Sequence, residues 1–299
     1  MKGIILAGGA GTRLNPITRG ISKQLVPVYD KPMIYYPLSV LMRSGIRDIL
    51  MITTERDQPL FKYTLGDGSD FGINLNYIIQ PSPDGLAQAF ILGEEFIEDD
   101  ECAMILGDNI YHGEKGLDAF LNNAKEQTKN GKATIFGYKV NDPERFGIME
   151  LDENNNVVSV EEKPERPKSD YAITGLYFYP KGVAEKAKQV VPSARGELEI
   201  TSLNDIYLKE GNLRAELLGD EYIWFDTGTF DSLLEASNII SGLEKNKGKL
   251  ISSPEAIAYE NGWLSDEELE MSANSMSKNH YGQTLSKINK KLVLTNNNK

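Results

Sequence analysis

The chain opens Met1-Lys-Gly-Ile-Ile-Leu-Ala-Gly-Gly-Ala-Gly-Thr-Arg13-Leu-Asn-Pro16 and, six residues on, continues Lys23-Gln-Leu-Val-Pro-Val28. The apolar run Gly3 to Ala7 fits a short buried strand. It runs into Gly8-Gly9-Ala10-Gly11. Glycine lacks a Cβ, so this loop can take positive φ and bring backbone N–H groups close to an anion. Thr12 adds a hydroxyl donor. Arg13 adds a guanidinium fork suited to phosphate oxygens. Lys23 supplies a second cation ten residues later. A strand, a glycine turn and two cations together point to a polyphosphate site.

Two familiar phosphate loops are excluded. The P-loop pattern G-x-x-x-x-G-K-[ST] does not occur. Gly9-Ala-Gly-Thr-Arg-Leu14 lacks the third glycine of the dinucleotide fingerprint, which argues against an NAD-dependent oxidoreductase. Asn15-Pro16 also opposes a helix directly after the loop, because the residue before proline avoids the α region.

Outward from this stretch, helices and strands alternate. Helices are predicted over 32–44, 58–65 and 86–96, and strands over 48–53, 75–80 and 102–107. This order predicts an α/β fold: a Rossmann-like, mostly parallel sheet with helices on both faces. Ligands of such sheets bind beyond the carboxyl ends of strands. The glycine loop, Gln80 and Asp108 all fall there. From Ala133 the texture turns β-rich, with strands predicted over 134–140, 147–151, 157–161 and 172–179. Helices over 180–191 and 201–210 and strands over 214–218 and 222–225 follow. The last strand ends at Asp226-Thr-Gly-Thr229. A helix through Leu233 and Ile240 and three shorter ones, 254–260, 265–272 and 280–290, complete the chain. Residues 1–241 are taken as one unit, 242–290 as a helical extension, and 291–299 as a tail without structure.

The net charge of −12 over 299 residues disfavours nucleic acid or an anionic membrane as the main partner. One cysteine excludes an intramolecular disulfide, and two histidines argue against a multi-histidine zinc site. No apolar run is long enough to cross a membrane, and the first apolar stretch is short for a signal peptide. A cytoplasmic protein is expected.

Leu6-Ala-Gly-Gly-Ala-Gly-Thr-Arg-Leu14, followed by Ser22-Lys-Gln-Leu-Val-Pro-Val-Tyr-Asp-Lys-Pro-Met33, closely resembles the sugar nucleotidyltransferase (nucleoside-diphosphate-sugar pyrophosphorylase) family. Within it, the likeness is greatest to the branch that transfers thymidylyl groups to glucose 1-phosphate. It runs through most of the chain. Ala10 departs from the common pattern, where many members carry Ser or Gly.

The resemblance implies a nucleotidyltransferase fold whose β-rich layer binds the sugar. It assigns Gly8, Gly9, Gly11, Thr12, Arg13, Gln24, Gln80 and Gly85 to the nucleotide. Glutamine presents an acceptor and donors, which suits the N3–H/O4 edge of thymine or uracil. Asp108 and Asp226, at the ends of two predicted strands, match the family's metal-binding aspartates and imply Mg²⁺, a cation that prefers hard oxygen ligands. Glu162 and Lys163 match the family's Glu-Lys-Pro signature, the first for sugar hydroxyls and the second for the sugar phosphate. Arg195 is expected at the sugar phosphate too. Arg145-Phe-Gly147 resembles the family's Arg-Tyr-Gly, with Gly147 close to the sugar and Phe146 lacking the hydroxyl.

The implied reaction is dTTP plus α-D-glucose 1-phosphate giving dTDP-glucose and pyrophosphate, with Arg13, Lys23 and Lys163 as the catalytic cations. A homotetramer inhibited by dTDP-rhamnose belongs to the same resemblance. The alternatives are the same chemistry on UTP or another hexose 1-phosphate, and a non-catalytic nucleotide-sugar sensor. The sensor is opposed by the retention of Asp108, Asp226, Arg13 and Lys163 together.

Overall fold

The computed structural model describes residues 1–9, 11–113 and 116–296. Ala10 and residues 297–299 lie outside the described residues. Strand β1 (Lys2–Ala7) leads through 3-10 turns to a small hairpin, β2 (Pro27–Val28) and β3 (Lys31–Pro32). Then come α1 (Tyr35–Arg43), β4 (Asp48–Thr53), α2 (Gln58–Leu65), β5 (Asn74–Ile79), α3 (Gln88–Leu92), α4 (Glu94–Ile97) and β6 (Cys102–Leu106). The middle of the chain forms β7 (Asn109–Gly113), α5 (Asp118–Lys129), β8 (Ala133–Lys139), β9 (Gly147–Leu151), β10 (Val157–Glu162) and β11 (Tyr171–Tyr179). It closes with α6 (Val183–Ala187), α7 (Ile200–Lys209), β12 (Leu213–Leu218), β13 (Tyr222–Asp226), α8 (Phe230–Lys247), α9 (Pro254–Glu260), α10 (Asp266–Ser275) and α11 (His280–Asn296).

The central sheet is mostly parallel. β1 lies between β4 and β6, parallel to both, and β5 extends the β4 side. Next to β6 lies β11, antiparallel, and then β8 and β12, parallel to each other. The β-rich stretch after Ala133 therefore enters the same sheet. Only the β9–β10 hairpin branches away, from the first half of β11.

Strand periodicity divides the core. In β1, Ile5 and Ala7 face one apolar cluster and Ile4 and Leu6 the other. Ile49 and Met51 of β4, and Ala103 and Ile105 of β6, join the first; Leu50, Ile52, Cys102 and Met104 join the second. Side chains alternate across a strand, so an apolar run buried on both faces is what a sheet sandwiched between helices requires.

The chain runs from β1 to β4 on one side, then returns with β6 on the other. This reversal opens a crevice at the carboxyl ends of β1 and β6, the usual ligand position in open α/β sheets. β7 and β13 form a separate antiparallel ribbon just beyond it, with Asp226 paired to Asn109.

α8 spans residues 230–247 without a break and is held at its start by a Thr229–Ser232 capping box. α9, α10 and α11 share a small core around Leu269, Tyr281 and Leu285. α11 continues to Asn296, past residue 291, where the sequence reading ends the ordered chain. Its first turns are anchored by Tyr281 and Leu285, and once a helix is nucleated each further residue adds a hydrogen bond at low cost.

Candidate active site

The glycine loop leaves β1 at its carboxyl end. Gly9 and Gly11 adopt left-handed backbone, with φ of 93° and 57°. A Cβ on Gly11 would stand 3.0 Å from Thr18 Cγ2 and 3.2 Å from Lys23 Cβ. Thr18 Oγ1 donates to Gly11 O at 2.8 Å, and Gln24 Nε2 to Gly8 O at 3.1 Å. Ser22 Oγ donates to Gln24 Oε1 at 2.7 Å, which fixes that amide. The turn Lys23–Leu25 is thus fastened beneath the loop. Thr12–Leu14 forms one 3-10 turn, as the Asn15-Pro16 constraint requires.

Lys23 is buried, and its Nζ lies between two carboxylates. It sits 2.5 Å from Asp108 Oδ2 and 3.9 Å from Asp226 Oδ1. Asp108 follows β6 and Asp226 ends β13, so two distant segments deliver the pair. Thr227 Oγ1 donates to Asp108 O at 2.8 Å and ties the segments together. Burial pushes the Asp108 carboxyl up, but the Lys23 ammonium and hydrogen bonds from Lys23 and Asn109 outweigh it and hold it below the ordinary range. Burial, followed by the charge of Asp108, raises the Asp226 carboxyl; Lys23, Arg13 and Arg145 oppose the shift. Two converging carboxylates with a cation between them are a donor set that fits Mg²⁺, which takes one or two protein carboxylates and completes its shell with substrate phosphates and water. Among the described residues no group of three or more His, Cys, Asp or Glu side chains forms a self-sufficient metal cage.

Asp108 stands where two chambers of one cleft meet. The smaller, of about 220 Å³, is lined by Gly8, Gly9, Gln24, Gln80 and Gly85. The larger, of about 380 Å³, is lined by Arg13, Gly147, Glu162, Lys163 and Asp226. Asp108, Leu86 and Leu106 border both. Gln80 Nε2 donates to Gln88 Oε1 at 2.8 Å, so its amide is oriented. Gly85 has φ of 108°, and a Cβ there would stand 2.4 Å from the Leu198 backbone. Arg13 packs flat on Gly228, where a Cβ would meet the guanidinium at 3.0 Å.

At the far side, Glu162 Oε2 accepts from Thr201 Oγ1 at 2.5 Å. Lys163 has a left-handed backbone, φ 43°, and its N–H donates to Phe146 O at 3.0 Å. That unfavourable conformation aims the lysine into the cleft, where Nζ lies 3.8 Å from Glu162 Oε1. Gly11, Thr12, Lys23 and Arg195 do not line either chamber. Arg195 is held by Glu199 at 2.9 Å, by Glu162 at 3.3 Å and by Glu197 at 3.4 Å. It borders the site through Glu162.

This constellation meets its comparison in known proteins. The profile of a family described as nucleotidyl transferase matches residues 2–242. The chain belongs to the nucleotidyl transferase family. A glucose-1-phosphate thymidylyltransferase of Neisseria meningitidis is 59% identical over 97% of this chain and 100% of its own. One from Mycobacterium tuberculosis is 51% identical over 95% of this chain and 98% of its own. The crystal structure of a putative glucose-1-phosphate thymidylyltransferase from Bacillus anthracis in complex with a sucrose superimposes with a TM-score of 0.74 at 40% identity, over 80% of this chain and 94% of that one.

In this nucleotidyl transferase, sequence reasoning passed over several residues of the cleft wall, Arg145, Thr201 and Asn109 among them. Arg145 lines the larger chamber and stacks on the Phe146 ring at 5.3 Å. It stood in a quoted motif without a role. Thr201, in the first turn of α7, fastens Glu162; only its proximity to Arg195 in sequence could have drawn notice. Asn109 is buried beside Asp108, and nothing in the local sequence separates it from an ordinary turn residue.

Proposed function

We propose that this protein transfers a thymidylyl group from dTTP to α-D-glucose 1-phosphate, giving dTDP-glucose and pyrophosphate. The observation that carries the reading is the two-chambered cleft meeting at Asp108, with the glycine loop and Gln80 on one side and Glu162 and Lys163 on the other. The relatives' names support the nucleotide and the sugar.

In this reading Gln80 and Gly85 hold the base. Gly8, Gly9, Gly11, Thr12, Arg13 and Gln24 hold the nucleotide's sugar and phosphates. Glu162 and Gly147 receive the glucose hydroxyls, and Lys163, with Arg195 behind it, draws in the sugar phosphate. A sugar-phosphate oxygen forms a bond to the α-phosphorus in line. The bond to the β-phosphate breaks, and its electron pair leaves with pyrophosphate. A phosphate monoester has a second pKa near ~6, so the nucleophile is already an anion and needs no general base. Lys23 and Lys163 hold the two anions together, which is where positioning and charge stabilisation act. Asp108 and Asp226 would hold Mg²⁺, which supplies charge neutralisation at the nucleotide phosphates when bound. The exposed apolar side chains Leu234 and Met271 in the C-terminal helices offer surface for a homotetramer, and inhibition by dTDP-rhamnose and a cytoplasmic location belong to the same reading.

The test is pyrophosphate release with glucose 1-phosphate and each of dTTP, UTP, CTP, ATP and GTP, with and without EDTA. A preference for dTTP that EDTA abolishes is expected. Lys163→Ala should cost on the order of 100-fold in turnover, with a raised KM for the sugar phosphate. Release with UTP alone would move the enzyme to another nucleotide, and wild-type turnover in Lys163→Ala would remove that lysine from the site.

A further inference from the structure

We propose that Asn109 is the positioning residue of the cleft, its carboxamide fixing the rotation of the Asp108 carboxylate so that its free side is turned toward Lys23 and the metal position. The inference rests on the reading of Asp108 as a metal ligand. Asn109 is 2% exposed. Its Oδ1 accepts from Trp224 Nε1 at 2.6 Å and from Gly175 N at 3.1 Å. An indole N–H and a backbone N–H can only donate, so the end of the amide that faces them must be the oxygen. Nδ2 is thereby forced toward Asp108, where it donates to Oδ1 at 3.0 Å. With Oδ1 held, Oδ2 is the oxygen turned to Lys23.

The arrangement follows from the way the sheet opens. β11 pairs with β6 only from Leu176, opposite Ile105, and its ladder with β8 is interrupted between Ile173 and Tyr177. The Gly175 N–H falls in both gaps, and a buried donor left unpaired there would cost about 1–3 kcal/mol. Asn109 takes it. Residue 175 must be glycine for this to happen, because a Cβ would stand 2.7 Å from Leu106 and 2.8 Å from Asn109 Oδ1. One side chain thus joins the end of β6, the start of β7, the open stretch of β11 and the Trp224 of β13, and turns the splitting of the sheet into an orientation for Asp108.

The test uses Mn²⁺ as the probe in enzyme saturated with dTDP-glucose, without pyrophosphate so that no turnover occurs. Free Mn²⁺ is read by electron paramagnetic resonance. Asn109→Ala should bind Mn²⁺ about 10–100-fold more weakly, the usual cost of losing a residue that orients a metal ligand. Because Asn109 also lines the larger chamber, the readout that separates orientation from general damage is the spectrum of bound Mn²⁺ at saturation, which should differ from wild type in Asn109→Ala. If Asn109→Ala does not melt cooperatively, Asn109→Asp serves instead. It keeps an acceptor for Trp224 and Gly175 but faces Asp108 with an oxygen, and the spectrum of bound Mn²⁺ should change. Wild-type Mn²⁺ affinity in Asn109→Ala, or a wild-type spectrum in Asn109→Asp, would overturn the inference. Asp108→Asn is the control: unchanged Mn²⁺ binding there removes Asp108 as a ligand and takes the inference with it.

Discussion

At the scale of single residues, the centre of the cleft is a charge problem solved by Lys23. Two carboxylates that converge in a buried crevice repel each other, and the ammonium between them holds both in place. Replacing one partner of a buried ion pair leaves uncompensated charge, at a cost of about 3–5 kcal/mol. Lys23→Met should therefore unfold at a clearly lower temperature in EDTA, and excess Mg²⁺ should restore more stability to it than to wild type. Calorimetry in the two buffers checks this; equal Mg²⁺ responses would mean that Lys23 and the metal do not share a role. The cations and carboxylates of the site were legible in the sequence because each sits in a motif. Their second partners were not. Gly85 is a marked position in the sequence, yet the reason for glycine is the Leu198 backbone, more than a hundred residues away. Arg195 reads as a phosphate cation, while its three carboxylate neighbours appear only once the loop before α7 is folded. Asn109 takes its role from Gly175 and Trp224, both remote in sequence.

Among the elements, those with a strong period and clear punctuation stood out in the sequence. The bounds of β4, α2, β9 and α9 agree with the reading. The long helix expected over 86–96 is divided at Gly93, where a Cβ would press within 3.2 Å of Ile4 and Leu50, so the glycine serves close packing on the sheet. α5 escaped notice because its apolar stripe is thin: Leu121 and Ala124, backed by Leu117 and the partly buried Phe120, face the core, and from Lys125 to its end the helix is polar. The β2–β3 hairpin and β7 are short and pair only locally or with a distant strand, which no periodicity reports. α8 matters most to the site, since its cap, Thr229, lies three residues after Asp226. The Thr229 side chain accepts from Ser232 N at 3.2 Å, and the Ser232 hydroxyl meets Thr229 N at 3.1 Å. Thr229→Ala should destabilise the protein by about 1 kcal/mol in urea unfolding, the usual worth of such a cap, and Thr229→Ser should recover most of it. A loss under half that size would show that tertiary packing alone fixes the start of α8.

For the whole molecule, the question is what joins the C-terminal helices to the cleft. Lys31, buried in the β2–β3 hairpin, meets Glu244 of α8 at 2.9 Å and Asp30 at 2.5 Å. It also lies over the rings of Tyr36 and Tyr281. Tyr281 of α11 donates to Glu255 of α9, and Ser253 Oγ donates to the same oxygen at 3.0 Å. Just after the hairpin, Ile34 N donates to Gln24 O at 2.8 Å and closes the chain back on the turn Lys23–Leu25. Contacts therefore run from the outer helices through Lys31 to the hairpin, and one backbone hydrogen bond just after the hairpin reaches the segment that carries Lys23. Their cost shows at Glu255. Burial raises that carboxyl above its ordinary range, although hydrogen bonds from Tyr281 and Ser253 and the charge of Lys31 oppose the shift. A folded pKa above the unfolded value means that the native state binds the proton more tightly. The contribution to stability is then complete below the unfolded pKa of about 4.3 and is lost as pH rises through the folded one. Glu255→Gln stays neutral, and its amide oxygen still accepts from Tyr281. Relative to wild type, the variant should gain more melting temperature at pH 8 than at pH 5. An equal change at both pH values would show that the charge on Glu255 carries no cost, and a larger loss at pH 8 would mean that the carboxylate form is what holds α9 to α11.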